Sequence, residues 1–396
     1  MSNGARAFSF INAAHFCDHY MLLVYPTAVL TLAPLFGIGY GAGIAITTGT
    51  FVCFGLLSLP AGWLGDHWSR RHMLGVFFLG GGAALIATAL TQGIWSLAAA
   101  LTLVGLFAAI YHPVGTAMLS TVKGVSGRAF GMNGVFGNLG VAAAPLITGA
   151  LIQAVGWRWA FALPGLAFIA VGLAYLVLVP AGTGEAVRRA AAKERYDSAP
   201  DFALVAVVLA VTVAAGGFTF NTVTITLPRL VAEDAPGIAA MPVLIGGLAT
   251  LIYLAGALTQ IIVGKLIDTI AIEGIFAVLG LMQLAGFIGV AMLEGSPALA
   301  AAALILAAVY GQVVVNDLLI ARTVPDQWRA RAYAARYLLG FTTAASVVPL
   351  IAWLHTPQAG LAPVYAVMSL FAAAVAAAAV AYWVRMRRAG LPQMAE

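Results

Sequence analysis

Twelve apolar stretches, each closed by a charge cluster or a Pro/Gly break, leave this chain only one solvent to fold in. They run roughly over 8–35, 41–64, 73–91, 95–121, 128–154, 158–180, 202–230, 241–263, 273–293, 297–320, 330–354 and 360–384. Crossing a hydrocarbon layer of about 30 Å takes about 20 apolar residues as a helix. Composition agrees, with 62% hydrophobic and 8% charged residues, against about 25% charged in a soluble domain. A lipid solvent demands that each segment satisfy its own backbone polar groups, which helices do. The sequence therefore predicts an all-α membrane protein of twelve transmembrane helices, and a soluble fold is excluded. Arg6 stands alone before the first stretch, with no small-residue cleavage site, so that stretch is read as a retained span and not a signal peptide. Cys17 and Cys53 lie inside apolar runs and indicate no disulfide framework.

Basic residues orient the spans. With the N-terminus in the cytoplasm, only Arg158 and Arg229 of the 19 Lys and Arg fall on the far side, and Arg336 falls inside a span. Both termini are then expected in the cytoplasm, with the chain a multi-pass protein of the cytoplasmic (inner) membrane. The net charge of +5 reflects this asymmetry and contact with anionic lipid, not nucleic-acid binding.

The first span carries His15, Asp18 and His19 within an otherwise apolar run. Residues three and four apart share one helix face, and at about 1.5 Å per residue these lie about 10 to 17 Å into the span. Ionisable groups at such depth are costly and mark a pathway for protons, ions or substrate; the plainer reading is that they pin helix packing through buried hydrogen bonds.

The longest polar stretch, 182–201, separates an N-terminal half (1–181) from a C-terminal half (202–396). The halves repeat weakly at a shift of about 203 residues: Asp66 answers to Asp268, Arg128-Ala129-Phe130 to Arg331-Ala332-Tyr333, Pro145 to Pro349, and Asp18 to Asn221. Two six-span bundles repeated in parallel across a long loop resemble the major facilitator superfamily. Between spans two and three, Gly62, Asp66, Arg70 and Arg71 match that family's signature loop, with His67 and Ser69 replacing its usual arginine and glycine. The resemblance implies a gate on the cytoplasmic side, with Gly264, Lys265 and Asp268 as its remnant in the second half.

Span five, with Gly134, Gly137, Asn138, Gly140 and Ala144-Pro145, is similar to the matching motif of drug–proton antiporters; a glycine-rich packing face alone gives the same pattern. His15-Phe16, Tyr25-Pro26 and Tyr111-His112-Pro113 resemble the fosmidomycin-resistance branch, although the acid is Asp18 and His19 takes the acid's usual place. That resemblance implies a proton-coupled exporter and leaves the substrate open.

His112, next to helix-breaking Pro113, approaches the depth of His15 and Asp18. An imidazole with an unperturbed pKa near about 6.5 changes charge at physiological pH, so Asp18 with a nearby histidine is a candidate coupling pair, and Asp18 with His15 or His19 is expected to exchange protons with the substrate; His112 reads equally as a hydrogen-bonded packing residue. In the second half, Arg336 is expected to pair with Asp317 or to present its fork to an anionic substrate group. Asn133, its repeat counterpart, is expected to face it across a central cavity, with Tyr111 and Asn221 as further hydrogen-bonding groups.

No phosphate-binding loop, Cys-x-x-Cys or nucleophile elbow occurs in context. An enzyme and an ATPase are not expected, no cofactor is expected, and transport must draw on an ion or substrate gradient. The leading expectation is a monomeric, proton-coupled exporter (antiporter) of a small organic molecule, working by alternating access; uptake of an organic anion stays open. The alternative is a transporter of a transition metal or metal chelate, with His15, Asp18, His19 and His112 as imidazole and carboxylate ligands.

Overall fold

In a computed structural model of the protein, the described residues are 3–121, 127–183, 202–324 and 326–388. They form fourteen α-helices in chain order: α1 (Asn3–Leu35), α2 (Tyr40–Ala45), α3 (Thr48–His67), α4 (Arg70–Ala89), α5 (Ile94–Ala108), α6 (Tyr111–Thr121), α7 (Gly127–Val155), α8 (Trp157–Leu178), α9 (Phe202–Asp234), α10 (Pro242–Leu266), α11 (Ile272–Met292), α12 (Ser296–Thr323), α13 (Asp326–Leu354) and α14 (Ala362–Arg388). Spans two and four are each built from two consecutive helices, so the fourteen helices make twelve spans. Among the described residues eleven are long and apolar enough to cross a membrane, and the remaining one, α13, carries a shorter apolar helix, Thr342–Leu354. From residue 184 on, the expected linker lies outside the described residues, as do the side chains of Arg128, Phe130 and Arg331-Ala332-Tyr333 of the internal repeat.

Local chemistry explains the breaks. Pro113 has no N–H for the carbonyl of Ala109 and its ring crowds that carbonyl, so span four stops at Ala108 and restarts at Tyr111. Ile110 turns back tightly onto the carbonyl of Phe107, at 3.2 Å, before Val114 resumes helical bonding to Ile110. At the start of α4, the Ser69 hydroxyl accepts the His72 N–H at 3.3 Å, a helix N-cap. Gly295, at φ 67°, makes the left-handed turn into α12, a conformation that suits glycine.

Packing divides the chain into two compact units, Met1–Ala190 with Pro236–Leu251, and Ala191–Ala235 with Ile252–Glu396. In the first unit α1 lies along α7, α4 along α8 and α3 along α5. The α1–α7 contact is close enough that a side chain at Gly140 would collide with the main-chain carbonyl of Phe16. The α4–α8 contact has the same character, with a Cβ on Gly82 reaching 2.6 Å from the carbonyl of Gly165. Small residues that bring backbones together replace the hydrophobic effect as the packing force between helices in lipid. The start of α10 belongs to this unit, where the Thr250 hydroxyl donates to the Ala142 carbonyl at 2.5 Å.

In the second unit α11 packs on α12 and α14, and α9 on α12, α13 and α14. Phe276, Leu279, Val315, Ile320 and Tyr382 form part of its core. One end of the unit is fastened by Glu233: it pairs with Arg229 at 2.7 Å and His355 at 3.3 Å, and accepts the Leu361 N–H at 3.1 Å.

Candidate functional site

The first unit gathers its ionisable groups around α1. His15, Asp18 and His19 lie about 18 to 24 Å along a helix about 50 Å long, near the middle of the span. The break before His112 turns α6 toward them. Asp18, 0% exposed, has its Oδ2 at 3.3 Å from His112 Nε2. Neither carboxylate oxygen has an aligned hydrogen-bond donor among the described residues, so this contact is charge proximity rather than a directed bond. His112 is 9% exposed, and its main-chain carbonyl accepts the Thr116 hydroxyl.

His15 and His19 face the same pocket of side chains. His15 Nδ1 lies 2.7 Å from the main-chain carbonyl of Asn133. A carbonyl only accepts, so Nδ1 carries the proton and in the neutral ring Nε2 keeps its lone pair. That Nε2 is 3.2 Å from His19 Nε2. The His15 ring stacks on Tyr111 at 4.8 Å, and the rings of His15 and His19 each meet His112 edge-on at 5.5 Å. Gly137 makes room for this, because a Cβ there would come within 2.5 Å of His15 Nε2.

A chain of amide and hydroxyl groups runs beside the ionisable cluster. The Tyr111 hydroxyl donates to Asn133 Oδ1 at 3.0 Å, and Asn133 Nδ2 donates to Asn12 Oδ1 at 3.0 Å. Asn133, expected opposite Arg336, thus has its side chain engaged within the first unit. Asn12 was not singled out from the sequence, although it sits one helical turn before His15 and is polar in the same apolar run.

In the second unit Arg336 pairs with Asp317, as anticipated. Asn221 holds α9 to α13, its Nδ2 reaching the Gly340 carbonyl and the Thr343 hydroxyl, both at 3.2 Å. Buried Gln312 donates to Gln283 at 2.6 Å, and Gln283 to the Thr219 hydroxyl at 2.5 Å. These two glutamines also went unremarked in the sequence, where the only signal was an amide inside spans nine and ten.

The signature loop divides its charges. Arg70 pairs with Asp66 at 2.6 Å at the surface. Arg71 donates from Nε to the Val179 carbonyl at 2.7 Å and from Nη2 to that of Leu176, capping the C-terminal end of α8. Gly62 and Gly65 face α6, where added Cβ atoms would meet Pro113 at 3.1 Å and Val114 at 2.9 Å. Asp268 is exposed in the turn after α10.

Twelve apolar helical spans in an internally repeated chain, with a buried carboxylate and three imidazoles gathered at mid-span, define a polytopic membrane protein. The chain belongs to the Major Facilitator Superfamily, whose family model matches residues 8–336; its members are transporters, not enzymes.

A puromycin resistance protein of Streptomyces alboniger is 32% identical over 117 residues, covering 29% of this chain and 23% of that protein. An uncharacterised MFS-type transporter of Mycobacterium tuberculosis is 28% identical over 155 residues, covering 36% of this chain and 26% of its own length. The match thus spans about a quarter of each relative. Among solved structures, a bacterial homologue of the human lysosomal transporter Spinster superposes with a TM-score of 0.71 at 14% identity, covering 96% of both chains. A D-xylose–proton symporter superposes with a TM-score of 0.74 at 12% identity, covering 96% of this chain and 98% of its own. At these identities the likeness is one of fold.

Proposed function

We propose that this protein exports a small organic molecule in exchange for protons, by alternating access of its two halves. The observation that carries the reading is Asp18, a fully buried carboxyl at mid-span whose ion-pair partner is His112 and which no hydrogen-bond donor among the described residues satisfies. Such a group costs several kcal/mol to bury, and in a membrane span it marks a transported charge. Asp18 with His112 takes the coupling proton, and His15 and His19 extend the polar path. Arg336 exchanges Asp317 for an anionic group of the substrate, which its planar fork of donors suits. Asn133, Tyr111 and Asn221 hold the helices that carry these groups. The turn with Gly62, Asp66, Arg70 and Arg71, together with Asp268, serves as the gate.

The bias of basic residues supports an inner-membrane protein with both termini in the cytoplasm. The partial similarity to a puromycin resistance protein favours efflux and makes puromycin the first compound to try, alongside fosmidomycin and a panel of organic anions. A monomer suffices for this mechanism.

In everted vesicles holding a proton gradient, substrate addition is expected to release protons, read as dequenching of acridine orange. Asp18→Asn is expected to abolish dequenching at normal expression. Dequenching by Asp18→Asn equal to that of the parent protein removes Asp18 from the mechanism.

A further inference from the structure

We propose that His15, His19 and His112 form a binding site for one borderline divalent transition-metal ion of the zinc class. The three residues each offer a ligating atom, and these atoms all lie within 4.8 Å of one another. Two nitrogens bound to a tetrahedral ion at about 2.0–2.1 Å stand about 3.3 to 3.4 Å apart. His15 Nε2 and His19 Nε2 are already 3.2 Å apart, so binding moves these nitrogens little and requires only that the His19 proton pass from Nε2 to Nδ1.

The surroundings are those of a ligand set. The bond from His15 Nδ1–H to the Asn133 carbonyl leaves the lone pair on the nitrogen that faces His19, the way metal-bound histidines are oriented by an outer hydrogen bond. Asp18 at 3.3 Å from His112 supplies a buried carboxylate whose negative charge offsets a divalent cation. Gly137 keeps the space in front of His15 Nε2 open. An all-imidazole set selects zinc, cobalt, nickel and copper over magnesium and calcium, which take oxygen ligands. An ion there ties α1 to α6 next to the break in span four. This goes beyond proton coupling and does not depend on it: the site binds its ion in the purified protein whether or not Asp18 carries a transported proton.

The competing account is a hydrogen-bonded packing cluster that binds no ion. The test uses full-length protein with a Strep tag, purified in detergent and stripped with chelator, so that no affinity-tag histidine interferes. Competition against a fluorescent zinc indicator is expected to give one high-affinity ion per chain, and zinc but not magnesium is expected to raise the melting temperature. His15→Gln, His19→Gln and His112→Gln each keep a polar side chain and are expected to weaken zinc at least about 10-fold. Asp18→Asn, outside the imidazole set, removes the offsetting negative charge and is expected to weaken it as well. Gly137→Ala, which removes no ligand, is expected to weaken it as well. Where a histidine variant fails to purify as a single species, cobalt in the parent protein decides. Intense visible bands of tetrahedral or five-coordinate cobalt support the site, and the pale octahedral spectrum overturns it. Absence of stoichiometric zinc binding, or binding unchanged in all three histidine variants, also overturns it.

Discussion

Removing His112 while Asp18 remains isolates the energetics of the buried pair. Asp18 is 0% exposed, its ion-pair partner is His112 Nε2 at 3.3 Å, and neither carboxylate oxygen has a hydrogen-bond donor among the described residues. Stripping one member from such a pair costs about 3–5 kcal/mol, because the other charge is stranded. The imidazole also fills space against Phe54, whose ring centre is 6.1 Å away. His112→Ala is therefore expected to lower unfolding stability by about 4 kcal/mol. In His112→Ala with Asp18→Asn the stranded carboxylate is gone, leaving lost packing and an under-bonded amide, about 1–3 kcal/mol. The second substitution thus recovers about 2 kcal/mol although it removes a further native group, a shift of roughly 30-fold in the unfolding equilibrium. Denaturant titration of the purified protein, followed by tryptophan fluorescence across parent, both single variants and the double variant, gives the coupling energy. If the two single effects add to within about 0.5 kcal/mol, the pair carries no charge coupling and the account of Asp18 is wrong.

Gly140→Ala drives a Cβ into the Phe16 carbonyl, whereas Gly134, on the same helix, has nothing within 4 Å of its would-be Cβ. Overpacking of this kind costs about 1–3 kcal/mol, so Gly140→Ala is expected to melt well below the parent and Gly134→Ala beside it; equal melting of the two defeats the close-approach argument. Arg71→Ala removes charged donors from two carbonyls at the end of α8, worth about 1.5–3 kcal/mol. A thermal melt of Arg71→Ala that matches the parent would reverse this assignment.

The spans were legible because lipid imposes a crude rule, and α9 or α12 departs from its expected bounds by only a few residues. The shared face of His15 and His19 was legible too, since it follows from helix periodicity within one segment. What periodicity does not carry is which helix packs beside which. Asp18 is read in the sequence with His15 or His19 on its own helix, whereas the fold brings His112, 94 positions away, to 3.3 Å from it. Arg71 shows a second limit: adjacent arginines in one motif look equivalent in sequence, yet Arg70 meets Asp66 at the surface while Arg71 reaches α8. The fastening at Glu233 was missed for the same reason, because Arg229, His355 and Leu361 become neighbours only through the packing of α9 against its partners.

The interruption between α5 and α6 also separates two mechanical jobs. Helix α6 is 11 residues long, about 16 Å from end to end, and His112 sits one position past its pivot. Rocking this arm by about 10° would sweep its tip by about 3 Å while shifting the His112 main chain by less than about 0.5 Å and its ring by about 1 Å. The imidazole therefore rides near the fulcrum, and contact with Asp18 survives displacements at the far tip that a single unbroken rod would have passed straight to it.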